Sequence, residues 1–428
     1  MKLDELLINE AGAGPELSYE DARDRYAEVG VDAEAALAQA LATPISTHCW
    51  QADDVIGLEG AGDASEMGGL AATGNYPGRA RTGDEIRQDF ELAARLIPGT
   101  LRFNLHAMYA ETGDARVDRD ELAPEHFARW IDWCAEHGWG MDFNPSCFAH
   151  PQAADGLTLA HPRKSVRDFW IRHAIASREI GRAIAKRLGP CGVNHWIPDG
   201  YKDATADRIG PRRTLIKSLD TVLAKKLPGV IDTVESKLFG LGVEDYTVGS
   251  HEFYLLYAAS RGCGVCFDMG HYHPTEGIAD KVSATLLFVR PLLIHASRGI
   301  RWDSDHVTRF NDELRAVADE VIRSGMARDV RWATDYFDAS INRIAAWVIG
   351  VRAVRKALLW ALVEPHAPAV EAERAGDHTA KLALAELRAE LPFAALWQEL
   401  CARADVPSGL AWLPEVRRYE AEVLARRG

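Results

Sequence analysis

The chain has 428 residues, 47% hydrophobic and 26% charged, which is enough apolar material to bury a large core without disulfides. Its formal net charge of −14 disfavours binding to nucleic-acid phosphates or to an anionic membrane surface. Its longest apolar runs fall short of the ~18 residues that cross a bilayer, its first residues do not resemble a secretory signal, and its seven cysteines suit a reducing compartment. We therefore predict a cytoplasmic protein with neither a nucleic-acid nor a membrane partner.

The predicted elements begin with helix and continue as alternating strands and helices. Residues 17–41 are rich in Ala and Glu at helical spacing, which predicts a helical lead-in over residues 1–44. Eight β-rich runs follow, and each is separated from the next by a segment long enough for a crossover helix. These runs are residues 45–50, 100–106, 140–145, 191–198, 232–238, 264–271, 292–299 and 330–340.

Eight strands that alternate with helices predict a closed (β/α)₈ barrel of the α/β class over residues 45–350. A doubly wound sheet seldom needs so many equal units. Residues 351–428 have helical patterns and no strand signal. They predict a C-terminal helical extension, and we expect it to serve in oligomer assembly.

Carboxylate and imidazole groups stand at the ends of the last four predicted strands. Functional residues of such barrels gather at the C-terminal ends of the strands, so we expect these groups to share one site. Burying several charges together is costly unless a cation compensates them, which predicts a divalent Mn²⁺, Mg²⁺, Co²⁺ or Zn²⁺ ion. The groups are Glu235 on the fifth strand, Asp268 and His271 on the sixth, His295 on the seventh and Asp335 on the eighth.

A second group of possible ligands lies in the segment RGIRWDSDH. Asp303 and Asp305 are two residues apart, so in an extended chain they point the same way. Together with His271 they offer oxygen and nitrogen atoms to a second cation. Two nearby metals can polarise a carbonyl and stabilise charge on the adjacent oxygen, which is the chemistry that an isomerase needs.

Three further side chains are candidates for contact with a sugar. Lys237 follows Glu235 by two residues and shares its face toward the barrel interior, where its ammonium can donate to a developing alkoxide. His106 ends the second strand and can transfer the proton that opens a cyclic sugar. Trp196 ends the fourth strand and offers an apolar face to a sugar ring.

Motifs along nearly the whole chain resemble those of the L-rhamnose isomerase family. The matching stretches include HCWQADDV, ATGNYPG, NLHAMYAE, DFNPSCF, WIPDGYKD, VESKLFG, YTVGSHEFY, DMGHYHPTE, RWDSDHV and DASINRIAAWVIG. The resemblance implies a cytoplasmic, homotetrameric enzyme that interconverts L-rhamnose and L-rhamnulose. It also implies two divalent metal sites and a hydride shift between carbons 1 and 2 of the sugar.

The resemblance also implies roles for individual residues. A structural metal would be held by Glu235, Asp268, His295 and Asp335, and a catalytic Mn²⁺ by His271, Asp303 and Asp305. Zn²⁺, Co²⁺ or Mg²⁺ is an alternative at one of the two sites. The catalytic group is then His106, Lys237, His271, Asp303, Asp305 and Asp335. The residues expected around the sugar are Trp196, His106, Lys237, Met108 and Phe337.

Three positions depart from the usual family pattern. Met108 stands where an isoleucine is common, and the stretches GVNHWIPDG and ATDYFDAS are expected to bring His195 and Tyr336 close to the substrate. Every proposed ligand is retained, so we expect the reaction to be kept and the substrate preference to be the variable property. The alternative is an isomerase of the same barrel type that acts mainly on L-mannose, L-lyxose or D-allose.

Three other functions are compatible with a metal-binding barrel. A xylose-type isomerase or a ketose epimerase would keep the metal ligands and change the pocket. A zinc endonuclease would need a basic groove, which the net charge of −14 disfavours. A catalytically silent sugar-binding protein is expected to have lost at least one ligand, and this sequence keeps them all.

Overall fold

Eight parallel strands form a closed barrel in the computed structural model, which describes residues 17–59, 72–239, 242–301 and 304–427. Each strand pairs with its neighbours in sequence, and the last strand pairs with the first through Ile45 and Trp332. The strands are β1 Ile45–His48, β2 Leu101–His106, β3 Gly140–Asn144, β4 Cys191–Trp196, β5 Val230–Glu235, β6 Gly264–Asp268, β7 Leu292–Ala296 and β8 Val330–Thr334. The predicted (β/α)₈ barrel is confirmed.

Helices connect the strands and cover the outside of the barrel. The helices are α1 Tyr19–Glu28, α2 Ala33–Ala42, α3 Gly83–Arg95, α4 Ala128–Glu136, α5 Lys164–Leu188, α6 Ile209–Val222, α7 His251–Arg261, α8 Ala279–Leu286, α9 Asp312–Arg323, α10 Arg343–Leu362, α11 His366–Arg374, α12 His378–Glu390, α13 Phe393–Arg403 and α14 Leu413–Glu422. Several of them begin at a side-chain cap, such as Thr82 before α3 and Asn311 before α9. Among the described residues, no helix combines the length and apolar character that a membrane crossing requires.

The helical lead-in and the helical extension share a small core of their own. Apolar side chains of α1 and α2 pack against α13 and the second half of α10. Arg355 of α10 ties this core to the barrel, because its buried guanidinium donates to the carbonyls of Ala40, Thr43, Pro98 and Thr100. Burial lowers the pKa of Arg355 to about 9. The boundary predicted at residue 350 lies inside α10, which both covers the barrel and supports the terminal helices.

An ion cluster centred on the buried Asp142 lies in the N-terminal half of the barrel, and we call it the Asp142 cluster. Asp142 accepts hydrogen bonds from Arg102 at 2.8 Å, Arg331 at 3.0 Å, the Ser46 hydroxyl at 2.7 Å and the Gly192 amide at 2.7 Å. Burial alone would raise the pKa of Asp142, but the two guanidinium groups bring it below its ordinary value. The charge of Asp142 is therefore fully compensated within the chain.

Candidate metal centre and substrate cavity

Four side chains from neighbouring strands meet at the C-terminal end of the barrel, and we call them the ligand ring: Glu235, Asp268, His295 and Asp335. One donor atom from each of the four lies within 4.8 Å of all the others. The Nδ1 atom of His295 is 3.1 Å from the Asp335 carboxylate, 3.5 Å from Glu235 and 3.6 Å from Asp268. The register places Asp268 directly beside His295, so the parallel pairing itself brings these ligands together.

The ligand ring concentrates negative charge. Three carboxylates surround one imidazole, and Oδ2 of Asp268 and Nδ1 of His295 are buried without a hydrogen bond from the described residues. Burial raises the pKa of Asp335 to about 6. Burial alone would lower the pKa of His295, but the acidic groups around it raise that pKa above its ordinary value. The raised pKa reflects a strongly negative environment, which favours a divalent cation.

The donor atoms of the ligand ring fit a divalent metal. Three carboxylate oxygens and one imidazole nitrogen are suitable ligands for Mn²⁺ and for Zn²⁺, Co²⁺ or Mg²⁺. Buried polar atoms without partners are rare in folded proteins, and a bound ion is one of the ordinary explanations for them. The ring thus fits a metal-dependent enzyme, while its ligand types are compatible with several ions.

A second layer of hydrogen bonds orients the ring, and the sequence analysis did not identify it. The amide of Asn194 donates to Glu235 and accepts a 2.8 Å bond from the Thr233 hydroxyl. The indole of Trp50 donates to Asp335 at 3.0 Å. Asn194 lies two residues before Trp196 and shares its inward face, and this spacing was the one available signal.

Asp268 is oriented in the same manner from the side of β7. The Ser297 hydroxyl donates to its Oδ1 atom at 2.5 Å, and the Gly270 amide donates to the same oxygen at 2.6 Å. Oδ2 is then the oxygen that remains for a cation. Such supporting bonds fix the direction of a ligand and raise metal affinity.

Two of the three residues predicted to hold a second cation lie beside the ring. His271 has its Nδ1 atom 2.8 Å from the Ser236 carbonyl and 3.2 Å from the Glu235 carboxylate. Asp305 lines the same cavity as His271, and its backbone is left-handed, with φ of 46°. Asp303 lies outside the described residues. The structure thus brings two of the three predicted ligands to the edge of the ring.

A cavity lies above the ligand ring. Its lining is formed by Trp50, Val55, His106, Asn144, Phe148, Asn194, Trp196, Glu235, Lys237, His271, His295, Asp305, Asp335 and Phe337. Aromatic walls over a polar, charged floor suit a small molecule that has many hydroxyl groups and one apolar face. Four of the five residues predicted around the sugar belong to this lining.

Lys237, Trp196 and His106 all line the cavity. The Lys237 ammonium lies 5.0 Å from the centre of the Trp196 ring, within the range of a cation–π contact. Nδ1 of His106 lies 3.2 Å from the Ser146 hydroxyl, and its ring meets that of Trp50 edge-on at 4.6 Å. Burial lowers the pKa of His106 to about 3, so this imidazole is neutral at neutral pH.

The three departures from the family pattern lie outside the lining that the described residues form. Nε2 of His195 lies 3.1 Å from Asp232, because alternation along β4 turns this ring away from the cavity. The Tyr336 hydroxyl donates to the Ala346 carbonyl at 2.9 Å in the core. The expectation that these two approach the substrate was therefore wrong. Met108 is buried in the core against Gly57.

Val55 was not predicted, yet it lines the cavity from the loop after β1. It has a left-handed backbone, with φ of 62°, which is rare for a β-branched residue. Asp53 holds this turn by accepting hydrogen bonds from the Tyr109 hydroxyl and the Gly57 amide, both at 2.7 Å. Burial raises the pKa of Asp53 to about 7. No sequence pattern marks such a conformation, since it depends on these distant partners.

Comparisons with known protein sequences cover nearly the whole chain. Residues 15–427 match the family model described as L-rhamnose isomerase (RhaA). The chain is 53% identical over 416 residues to proteins named L-rhamnose isomerase from Escherichia coli O9:H4 (strain HS) and Escherichia coli (strain K12), which covers 96% of this chain and 99% of each relative. A xylose isomerase domain protein from Alicyclobacillus acidocaldarius subsp. acidocaldarius superposes with a TM-score of 0.47 at 13% identity, covering 75% of this chain and 99% of that one.

Proposed function

The chain belongs to the L-rhamnose isomerase family, and we propose that it interconverts L-rhamnose and L-rhamnulose with the help of two divalent cations, at least one of them Mn²⁺. Membership confirms the resemblance predicted from the motifs, and it makes the chain an aldose–ketose isomerase. The observation that carries the metal dependence is the ligand ring, whose buried donor atoms lie within 4.8 Å of one another.

In this proposal the ligand ring would hold the first cation, and His271, Asp303 and Asp305 would hold the second. When bound, such cations would supply polarisation of the sugar carbonyl and stabilisation of charge on the neighbouring oxygen, and the proposed reaction is a hydride shift between carbons 1 and 2. The supporting bonds from Asn194 and Trp50 keep the carboxylates aimed at one point before any ligand arrives. Such preorganisation lowers the cost of charge development during the reaction.

The remaining cavity residues would bind the sugar and handle its protons. His106, whose imidazole lines the cavity, would accept the proton of the ring hydroxyl when the cyclic sugar opens. The Lys237 ammonium is suited to donate a hydrogen bond to the oxygen that becomes negatively charged. Trp196 and Phe337 offer apolar surface to the carbon skeleton and exclude water from the reacting carbons.

We also propose that the protein is a cytoplasmic homotetramer, and that residues 351–428 take part in assembly. Apolar side chains on the outside of the barrel support self-association. Leu256 of α7 is 69% exposed, and Leu287 and Phe288 after α8 are 67% and 80% exposed. Size-exclusion chromatography with light scattering on the full chain and on Phe288→Ser tests this state. We expect a tetramer for the first and smaller species for the second.

The first experiment is an assay of the protein after its metals have been removed with a chelator. Formation of ketose from L-rhamnose is measured before and after Mn²⁺ is added, with L-mannose and D-xylose run in parallel. We expect Mn²⁺ to restore activity, most strongly on L-rhamnose. Restored activity that is higher on another sugar would overturn the proposed substrate. Full activity without metal would overturn the metal dependence.

A further inference from the structure

Three hydrogen bonds join Ser236, His251 and His271 in a closed cycle at the edge of the cavity. The Nδ1 atom of His271 lies 2.8 Å from the Ser236 carbonyl. The Nε2 atom of His251 lies 2.9 Å from the His271 carbonyl. The Nδ1 atom of His251 is hydrogen-bonded to the Ser236 hydroxyl. Each of the three residues therefore contacts both of the others.

The cycle determines where the ring hydrogens lie. A backbone carbonyl can only accept, so Nδ1 of His271 and Nε2 of His251 must each carry a hydrogen. The Ser236 hydroxyl then donates to the other nitrogen of His251. In neutral His271 the lone pair remains on Nε2, and metal-bound histidines commonly donate their second nitrogen to a carbonyl in this manner.

His251 connects the ends of two strands that carry proposed ligands. Ser236 lies between Glu235 and Lys237 just beyond β5, whereas His271 follows β6. His251 is the first residue of α7, which is the crossover helix between these two strands. Its ring also stacks on Tyr272, with centroids 3.9 Å apart and planes 15° apart. This stacking restrains the orientation of the ring in addition to its two hydrogen bonds.

We propose that His251 is a positioning residue that keeps His271 in the tautomer and orientation required for the second cation. The inference rests on the proposed function, because it takes His271 as a ligand of that cation. His251 acts through its bonds to Ser236 and to the His271 backbone. Its side chain is not part of the lining that the described residues of the cavity form.

Two substitutions separate the hydrogen bonds of His251 from its packing. His251→Phe keeps a ring that can stack on Tyr272 and loses both hydrogen bonds. His251→Gln keeps an amide that can donate to the His271 carbonyl. His137→Phe is the matched control, because His137 is also a stacked imidazole that is hydrogen-bonded to a backbone carbonyl. Its Nδ1 atom lies 3.0 Å from the Trp133 carbonyl oxygen, and its ring stacks on Trp139. It lies at the end of α4, ahead of β3.

The test is a titration of the metal-free proteins with Mn²⁺, in which electron paramagnetic resonance measures the free ion. Steady-state kinetics are measured in parallel at low and saturating Mn²⁺. We expect His251→Phe to bind one Mn²⁺ as the unmodified protein does and the second about 10–100-fold more weakly. Its kcat should fall at low Mn²⁺ and recover in part at saturating Mn²⁺. The KM for L-rhamnose should change little at saturating Mn²⁺. His251→Gln should lie between His251→Phe and the unmodified protein, and His137→Phe should match the unmodified protein.

Two results would overturn the positioning role. One is equal binding of both ions by His251→Phe and the unmodified protein. The other is equal weakening of both ions together with a loss of folded protein, since that indicates a purely structural residue. A failure of the proposed function is recognised separately, because the unmodified protein with Mn²⁺ would then not convert L-rhamnose.

Discussion

The two ends of the barrel bury carboxylates in different ways. At the N-terminal end, Asp142 receives hydrogen bonds from two guanidinium groups, a hydroxyl and an amide. At the C-terminal end, the three carboxylates of the ligand ring surround a single imidazole, and Oδ2 of Asp268 has no hydrogen bond from the described residues. Both sites lie inside the same set of strands, so the fold alone does not explain the contrast.

The contrast separates a structural charge from a functional one. A buried ion is tolerated when partners within the chain compensate it, and removing one partner is then costly. A site that must bind a cation needs donor atoms that the chain leaves unpaired, and it accepts some loss of stability in return. We therefore expect substitutions at the Asp142 cluster to affect folding, and substitutions at the ligand ring to affect metal binding.

The largest expected effect is at the N-terminal end of the barrel, in the Asp142 cluster. Asp142→Asn leaves the partly buried guanidinium groups of Arg102 and Arg331 without their buried counter-charge and should lower the free energy of unfolding by ~3–5 kcal/mol. Denaturant unfolding of the metal-free protein measures this change. Asp312→Asn is the control, because Asp312 is an acidic residue on the surface. A loss below about 1 kcal/mol for Asp142→Asn would mean that the cluster is not a structural ion site.

Asp53 provides a third case, a buried carboxyl with neither arginine nor a proposed cation. Its pKa is raised from 3.8 to about 7, so the folded state holds the proton that the unfolded state releases between these values. The proton on Asp53 therefore stabilises the folded state at low pH. This stabilisation, at most ~4 kcal/mol, is lost as the pH rises to about 7. Unfolding of Asp53→Asn between pH 5 and 8 should lack this loss. Parallel pH curves for the two proteins would contradict the assignment.

At the C-terminal end of the barrel, Asp268→Asn should weaken the binding of Mn²⁺ to the ligand ring by at least about 100-fold, since it removes a proposed ligand carboxylate. The stability of the metal-free protein should change by less than about 1 kcal/mol, because the substitution also relieves repulsion among the three carboxylates. Calorimetric titration with Mn²⁺ and denaturant unfolding measure the two quantities. A large loss of stability with intact Mn²⁺ binding would reverse the contrast between the two ends.

The smallest expected effect concerns the residue that supports Glu235. Asn194→Leu removes the donor to Glu235 while keeping a similar volume, and should weaken Mn²⁺ binding by about 10–100-fold. Asn104→Leu is the control, since Asn104 bonds to Asn144 and not to a proposed ligand. Calorimetric titration of both variants checks this. Equal weakening in both would mean that any buried amide has the same influence.

Much of the architecture could be predicted because it depends on local patterns. The eight strand runs alternate with helical segments, and parallel strands so connected close into a barrel. The four residues of the ligand ring were predicted because each lies within one of the last four strand runs, and the observed strands end at or beside them, where the fold must gather them. Their chemistry follows from residue type, since carboxylates and imidazole are the ordinary ligands of divalent metals.

Other features depend on partners far away in the sequence, and only the tertiary structure decided them. Asn194 and Trp50 support the ring because the register brings each beside a ligand from another part of the chain. Val55 reaches the cavity because Asp53 holds its turn in place by accepting a hydrogen bond from Tyr109, 56 residues after Asp53 in the chain. His195 turns away because its position in β4 places it on the outer face. Sequence by itself determined which residues stand at the strand ends, whereas three-dimensional packing decided which others face them, since orientation depends on neighbours that local patterns do not encode.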